Sequence, residues 1–318
     1  MSVYLELLLG LILLVAGGDA LVRGAVALAR RFGISPLLIG LTLVGFGTST
    51  PELVTSIQAA FAGSPGIAVG NVVGSNIANI LLILGVAAVI SPLVVARAAF
   101  LRDGTVSVLV AVLCVGMILV GDLGRVVGLV SVGLLAAYVI YTYRAERVGS
   151  SPSAVVHQSE ATLAEPGPRS VWVAAAFTVG GLVLTIVGAR FLVSGAIDLS
   201  QAAGVPETVV GLTVVAIGTS LPELVTSIIA ALRRQSDVAL GNIIGSNIYN
   251  VLGILGVTAI VHPISVPPSI AAVDVWVMLA ATLGMVAFAV TGSRISRAEG
   301  GIFVAAYIGY VGYLVASL

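Results

Sequence analysis

The sequence predicts an all-α membrane protein whose helices cross the bilayer ten times, as two inverted repeats of five. Three observations predict it: the apolar composition, the spacing of the arginines and a duplicated motif. Of 318 residues, 59% are hydrophobic and 9% are charged, and the mean hydropathy is +1.18. Because soluble domains carry roughly 25% charged residues, this composition excludes a soluble domain and indicates a multi-pass membrane protein.

Ten apolar segments are long enough to cross a bilayer, whose hydrocarbon core needs about 20 helical residues. The first continues far beyond the length of a signal-peptide core and is expected to be a retained helix. The segments are residues 4–29, 35–62, 67–91, 103–121, 125–143, 171–199, 206–232, 238–262, 271–291 and 299–317.

Every basic residue is an arginine, and the arginines alternate along the chain. The loops after the odd-numbered segments carry most of them, whereas the loops after the even-numbered segments carry only Arg125; Arg23 and Arg190 lie within segments. By the positive-inside rule, the odd loops face the cytoplasm and both termini face out, in the cell (plasma or inner) membrane. The formal net charge of zero gives no reason to expect a nucleic-acid partner; the expected surroundings are lipid.

The two halves of the chain repeat one another. The motif GTSTPE at residues 47–52 returns as GTSLPE at residues 218–223, and the ungapped alignment runs from Leu21 with Leu192 to Gly85 with Gly256. An odd number of crossings per repeat inserts the second copy upside down, as in many secondary transporters. We therefore expect repeats at residues 1–143 and 171–318, joined by a flexible cytoplasmic linker at residues 144–170.

Each copy of the motif places one carboxylate in a long apolar stretch. Glu52 is the only charged residue between Arg31 and Arg97, and Glu223 is similarly isolated. A lone charge at the bilayer centre costs about 3 kcal/mol on insertion scales, so intramembrane acids are functional by default. The alternative is a pair of structural glutamates satisfied by neighbouring helices.

The residues around the two acids supply further oxygen atoms. Pro51 and Pro222 remove a backbone donor, which should free carbonyls near Thr48 and Thr219. The motif GNxxGSNIxN follows in each repeat and places a serine and an asparagine four residues apart on one helix face. These pairs are Ser75 with Asn79 and Ser246 with Asn250.

Other hydroxyl groups near the motif are expected to bond their own helix backbone. They belong to Thr55, Ser56, Thr226 and Ser227. Asp19 and Arg23 stand four apart in the first segment, and are expected to form an ion pair within that helix.

The candidate ligands are all oxygen atoms. Neither motif contains Cys or His, which argues against zinc or copper. Calcium takes about six to eight oxygens in flexible geometry, whereas magnesium demands a tight octahedron and keeps its waters. Sodium also prefers oxygen and needs less negative charge. Two carboxylates can therefore be neutralised either by one dication or by monovalent ions.

The paired motifs GTSTPELVTS and GTSLPELVTS, each followed by GNxxGSNIxN, resemble the alpha-repeats of the sodium/calcium exchanger branch of the calcium/cation antiporters. The resemblance covers essentially the whole chain. It implies that Glu52 and Glu223 bind calcium together with the main-chain oxygens of Thr48 and Thr219. It also implies that the first and sixth helices slide as a gating pair. Sodium would be bound with Ser49, Ser75, Ser220 and Ser246, and Asn79 and Asn250 would line the centre.

Two positions depart from relatives of this kind. Gly45 stands where an alanine is common, and Asn250 stands where potassium-dependent relatives carry aspartate. Since asparagine removes a carboxylate, we expect no potassium co-transport.

The expected function is sodium/calcium antiport by alternating access, with the ions as substrates and no resident cofactor. Proton/calcium antiport on the same two glutamates is the alternative. An enzyme is not expected, because the sequence lacks a His–Glu metal motif and a nucleophile elbow. A channel would usually build its filter from an oligomeric ring.

Overall fold

The computed structural model describes residues 2–34, 39, 42, 46–95, 97–146, 168 and 170–318. The first half contains α1 (Val3–Arg31), α2 (Thr50–Phe61), α3 (Pro65–Ile90), α4 (Arg97–Val120) and α5 (Arg125–Glu146). The second half contains α6 (Val171–Ala203), α7 (Glu207–Thr219), α8 (Leu221–Leu232), α9 (Ser236–Val261), α10 (Ile270–Gly292) and α11 (Arg297–Ala316).

Among the described residues, eight helices are long and apolar enough to cross a membrane. Helices α7 and α8 are bent by 49° relative to one another and together can form a ninth crossing. Helix α2 is the end of the segment predicted at 35–62, whose beginning lies largely outside the described residues, as do Gly45 and most of the predicted linker. The all-α membrane fold is therefore confirmed, and the helices are consistent with ten crossings.

The predicted segments lie close to the observed helices, and the largest difference is at α4. That helix begins at Arg97, whereas the apolar segment was predicted to begin at residue 103. The first turns of α4 contain the charged residues Arg97, Arg102 and Asp103, and Arg102 Nε lies 2.7 Å from Asp103 Oδ1. A helix continues where its charges are paired, although hydropathy marks only the part that enters the hydrocarbon.

Helices α3 and α9 each contain a π-helical segment at an equivalent place. The wide turns begin at Asn79 in α3 and at Asn250 in α9, and each lasts six residues. π-Helical segments are rare in proteins, and those that occur are often at functional sites. The two halves thus share a local distortion as well as a sequence.

Helices α1 and α6 pack antiparallel, with glycines at the contact. A Cβ atom added to Gly10 would lie 2.6 Å from the backbone nitrogen of Leu192, and one added to Gly24 would lie 2.7 Å from the Ala174 carbonyl oxygen. The end of α1 therefore lies beside the beginning of α6, as expected for inverted repeats. Small residues let the two backbones approach closely.

Two short antiparallel ribbons connect the halves. Leu93–Val94 (β1) pairs with Arg294–Ile295 (β4), and Asp122–Leu123 (β2) pairs with Ile264–Ser265 (β3). Because β1 and β2 lie at opposite ends of α4, the halves are joined at both ends of the helix bundle.

Substituting Gly181 by alanine should weaken the packing of α1 on α6. The new methyl group would lie 2.7 Å from the Gly17 carbonyl oxygen, and overpacking of this kind costs about 1–3 kcal/mol. The matched control is Gly180→Ala, because a Cβ there has nothing within 4 Å. Thermal unfolding in detergent should show a lower melting temperature for Gly181→Ala only. Equal melting temperatures would contradict the close contact.

Candidate functional site

The two glutamates lie in the first turns of α2 and α8, directly after a point where the helical conformation is interrupted. Both side chains are fully buried. Before Glu52, the Thr50 N–H donates to the Gly47 carbonyl at 3.2 Å, a tighter turn than an α-helix makes. Each carboxylate therefore sits at a helix N-terminus, where the helix dipole favours negative charge.

Each glutamate is held by a serine from the opposite repeat. Ser49 Oγ donates to Glu223 Oε1 at 2.8 Å, and Ser220 Oγ donates to Glu52 Oε1 at 3.0 Å. Ser49 Oγ also lies 3.2 Å from Ser246 Oγ. Through these reciprocal bonds, Ser49 and Glu52 of the first repeat and Ser220 and Glu223 of the second form a single polar cage.

Several oxygen atoms of this region have no hydrogen-bond partner among the described residues, although they are buried. A buried polar atom without a partner costs about 1–3 kcal/mol, and a cluster of such acceptors suits a cation with oxygen ligands. The atoms are Thr48 Oγ1, Glu52 Oε2, Asn79 Oδ1, Glu223 Oε2 and Asn250 Oδ1.

The serines and threonines of the predicted site are distributed around the same cage. Ser246 Oγ donates to Glu223 Oε1 at 3.4 Å, and Ser75 Oγ faces the Ala216 carbonyl oxygen of α7 at 3.5 Å. No backbone hydrogen bond to the Thr48 carbonyl occurs in the described part of the chain. This carbonyl oxygen is therefore left without a helical donor, the arrangement that Pro51 predicts.

Two asparagines that we had not singled out tether the glutamate helices. Asn71 Nδ2 donates to the Glu52 carbonyl at 3.2 Å and to Ser56 Oγ at 3.0 Å. Asn242 Nδ2 makes the equivalent bonds, to the Glu223 carbonyl at 3.4 Å and to a serine hydroxyl at 3.1 Å. The Gly-Asn pair that begins GNxxGSNIxN in both repeats could have identified these two asparagines from the sequence.

The expectation that Ser56 bonds its own helix backbone is wrong. Its hydroxyl donates to the Ala68 carbonyl oxygen of α3 at 3.4 Å and accepts the bond from Asn71. Because α2 packs closely on α3, the Ser56 hydroxyl can bond a backbone carbonyl of the neighbouring helix. In contrast, the expected ion pair in α1 is confirmed, with Arg23 Nε 2.8 Å from Asp19 Oδ2.

One contact near the cage departs from the symmetry of the repeats. The rings of Phe46 and Tyr249 stack with centroids 4.4 Å apart and planes 9° apart. The equivalent residues of the other repeats are Ile217 and Ala78. The repeats therefore differ beside the site even though the polar residues match.

The fold and the cage together define a class of protein: a multi-pass membrane protein with a buried, oxygen-lined polar cage to which both halves of the chain contribute. Comparison with known proteins agrees. Residues 2–144 and 173–316 match the profile of the family described as sodium/calcium exchanger protein. The chain belongs to this family, and it is therefore an antiporter and not an enzyme.

Individual relatives match over nearly the whole chain. The chain is 39% identical over 308 residues to a putative antiporter CaxA of Alkalimonas amylolytica, covering 95% of each. It is 34% identical over 342 residues to the sodium/calcium exchanger MaX1 of Methanosarcina acetivorans, covering 97% of each. A structure of the sodium-calcium exchanger NCX_Mj, soaked with Na⁺ and Ca²⁺, superposes with a TM-score of 0.66 at 33% identity, covering 98% of this chain and 99% of that one.

Replacing Asn71 by alanine should destabilise the protein. The substitution removes the donor to the Glu52 carbonyl and to Ser56, and also the acceptor of the Thr219 hydroxyl at 3.0 Å. Each buried polar group left unpaired should lower the free energy of unfolding by about 1–3 kcal/mol. Thr258→Val is the control, since the Thr258 hydroxyl donates within its own helix to the Ile254 carbonyl. A melting temperature of Asn71→Ala no lower than that of the control would refute the tethering role.

Proposed function

We propose that the protein exchanges sodium for calcium across the membrane by alternating access. The single observation that carries the proposal is the reciprocal contact of Ser49 with Glu223 and Ser220 with Glu52. It places two carboxylates in one buried cage, where a cation is needed to offset their charge. The family match, a relative named as a sodium/calcium exchanger and the NCX_Mj structure soaked with both ions support the choice of ions.

The charge of the cage explains exchange. Two carboxylates carry two negative charges, which one calcium ion or several sodium ions can offset. Occupation by calcium therefore excludes occupation by sodium. The cage without ions would carry an uncompensated charge through the bilayer when the carrier changes its open side, so this conversion is disfavoured. Only loaded carriers convert readily, and the two fluxes are coupled.

The proposed ligands follow from the oxygens of the cage. Calcium is bound by Glu52, Glu223 and the carbonyl oxygens of Thr48 and Thr219. These groups supply up to six oxygens when both carboxylates bind through two atoms, which is within the range that calcium takes. Sodium uses hydroxyl oxygens, and the two asparagines line the centre. The remaining residues proposed for these roles are Ser49, Ser75, Ser220, Ser246, Asn79 and Asn250.

The antiparallel pair of α1 and α6 is proposed to slide past the other helices. Glycines let the two helices pack closely on one another, so that the pair can move as one unit. We also propose that the arginine-rich side faces the cytoplasm of a cell membrane, with both termini outside. The transported ions are substrates of this cycle and not resident cofactors.

Proton/calcium antiport remains the second candidate because Glu52 Oε2 and Glu223 Oε2 are buried and have no partner among the described residues. Protons on these oxygens would neutralise the cage as sodium does. The serines favour sodium, since they add hydroxyl ligands that a proton does not require.

Glu52→Gln and Glu223→Gln should each reduce calcium uptake into proteoliposomes to background, because each removes one charge from the cage while retaining its shape. The matched control is Asp274→Asn. Asp274 is also a buried acid, 3% exposed, and accepts the Tyr310 hydroxyl at 2.8 Å, a bond that asparagine can also accept. Uptake should survive in the control. Normal uptake by either glutamine variant, with all variants folded, would refute the site.

Vesicles loaded with sodium and diluted into sodium-free calcium solution should accumulate calcium, and a proton ionophore should not prevent it. The driving force in the proposed cycle is the sodium gradient. Uptake that follows an imposed pH gradient and ignores sodium would instead establish the proton-driven alternative.

A further inference from the structure

Four asparagines cross-link α3 and α9 beside the cage. They are two from each repeat, Asn76 and Asn79 in α3 and Asn247 and Asn250 in α9, and all are buried. Asn76 Nδ2 faces the Asn247 carbonyl oxygen at 3.5 Å, and Asn247 Nδ2 faces the Asn76 carbonyl oxygen at 3.4 Å. This pair forms a two-fold arrangement in which each side chain donates to the backbone of the other helix.

The same two side chains accept bonds from the asparagines of the predicted site. Asn250 Nδ2 donates to Asn76 Oδ1 at 3.0 Å, and Asn79 Nδ2 donates to Asn247 Oδ1 at 3.0 Å. Each link joins α3 to α9. Neither Asn76 nor Asn247 is among the site residues that the sequence predicts.

The carbonyl anchors determine which way each amide points. The two ends of an asparagine amide have nearly the same shape, but a backbone carbonyl can only accept, so Asn76 must present Nδ2 to it. The Oδ1 of Asn76 then faces Asn250, and because this oxygen can only accept, Asn250 must donate to it through Nδ2. The Oδ1 of Asn250 is consequently turned away from Asn76. The same reasoning applies to Asn247 and Asn79.

The amide oxygens turned away in this manner are the ones without a partner. Asn79 Oδ1 and Asn250 Oδ1 are buried and accept no bond within the described residues. Asn250 lies one helical turn after Ser246, whose hydroxyl reaches Glu223, so its side chain is on the cage face of α9. A reversed amide would present N–H donors there, and donors do not bind cations.

We propose that Asn76 and Asn247 are positioning residues that keep the amide oxygens of Asn250 and Asn79 directed at the cation. The inference rests on the proposed function, since it assumes that the cage binds the transported ions. It adds a determinant of cation affinity that does not touch the cation.

A small cavity lies on the other side of the positioning pair. Its volume is about 10 Å³, and Asn76, Asn247 and Ser107 line it together with residues of α10; the helices α2 and α8 that carry the glutamates do not contribute to its lining. Shortening Asn76 therefore enlarges a cavity that the glutamate helices do not line.

The decisive variant is Asn76→Ala, measured for calcium transport with and without Asn250→Asp. Alone, Asn76→Ala should raise the KM for calcium about tenfold, a loss typical when a residue behind a metal ligand is removed, with a smaller change in maximal rate. In the Asn250→Asp background it should have no such effect, because both carboxylate oxygens are acceptors and need no orientation. A purely structural role predicts the same loss in both backgrounds, and that result would overturn the proposal.

Two further variants keep the outcomes separate. If Asn76→Ala does not fold, the symmetric cycle of Asn247→Ala with Asn79→Asp carries the same expectation. Glu52→Gln is measured in parallel: its normal transport would refute the proposed function itself. Loss of transport in Glu52→Gln together with an unchanged KM in Asn76→Ala would refute only the positioning role.

Discussion

The structure depends on one constraint, the burial of two carboxylates within apolar helices with no basic partner in the described residues. A charge in hydrocarbon is tolerated only where other groups compensate it. Part of this compensation comes from the helix N-termini at which Glu52 and Glu223 lie. Another part comes from Ser49 and Ser220, each of which donates to the carboxylate of the opposite repeat. In the proposed function, the bound cations supply the rest.

The duplicated sequence supplies both buried carboxylates and the serines that donate to them. A single local motif is used twice, and the antiparallel contact of α1 with α6 shows how the second copy is reversed relative to the first. Ser49 then meets Glu223 while Ser220 meets Glu52. Neither half contains both carboxylates of the cage. A carrier built in this way has equivalent parts on both sides of its cage, which suits a cycle that opens to one side and then to the other.

Much of the fold could be predicted from the sequence, because hydropathy and arginine positions report directly on membrane crossings. The isolation of Glu52 and Glu223 predicted the centre of the site, and the structure brings these residues together; their binding of calcium stays a prediction, as do the repeat boundaries. The sequence could not predict the partners of Ser56 or Asn71. These depend on how closely α2 packs on α3, and a hydroxyl chooses between its own helix and a neighbour by distances of a few tenths of an ångström.

The asparagines show a second limit. The family resemblance implies that Asn79 and Asn250 line the centre of the site. The direction of an amide, however, depends on its neighbours in space, and the role of Asn76 and Asn247 follows only from their contacts with backbone carbonyls of the opposite helix. The stacked Phe46 and Tyr249 were missed for a related reason. The two rings lie about two hundred residues apart in the chain, and their contact breaks the internal symmetry that guided the prediction.

The central claim is that both acids bind the same ion. Anomalous diffraction from crystals grown with strontium in place of calcium tests it most directly. The account predicts a strontium peak within about 2.3–2.6 Å of oxygens of both Glu52 and Glu223, the distances typical of calcium ligation. Separate peaks at each glutamate, or a peak that touches neither, would contradict it.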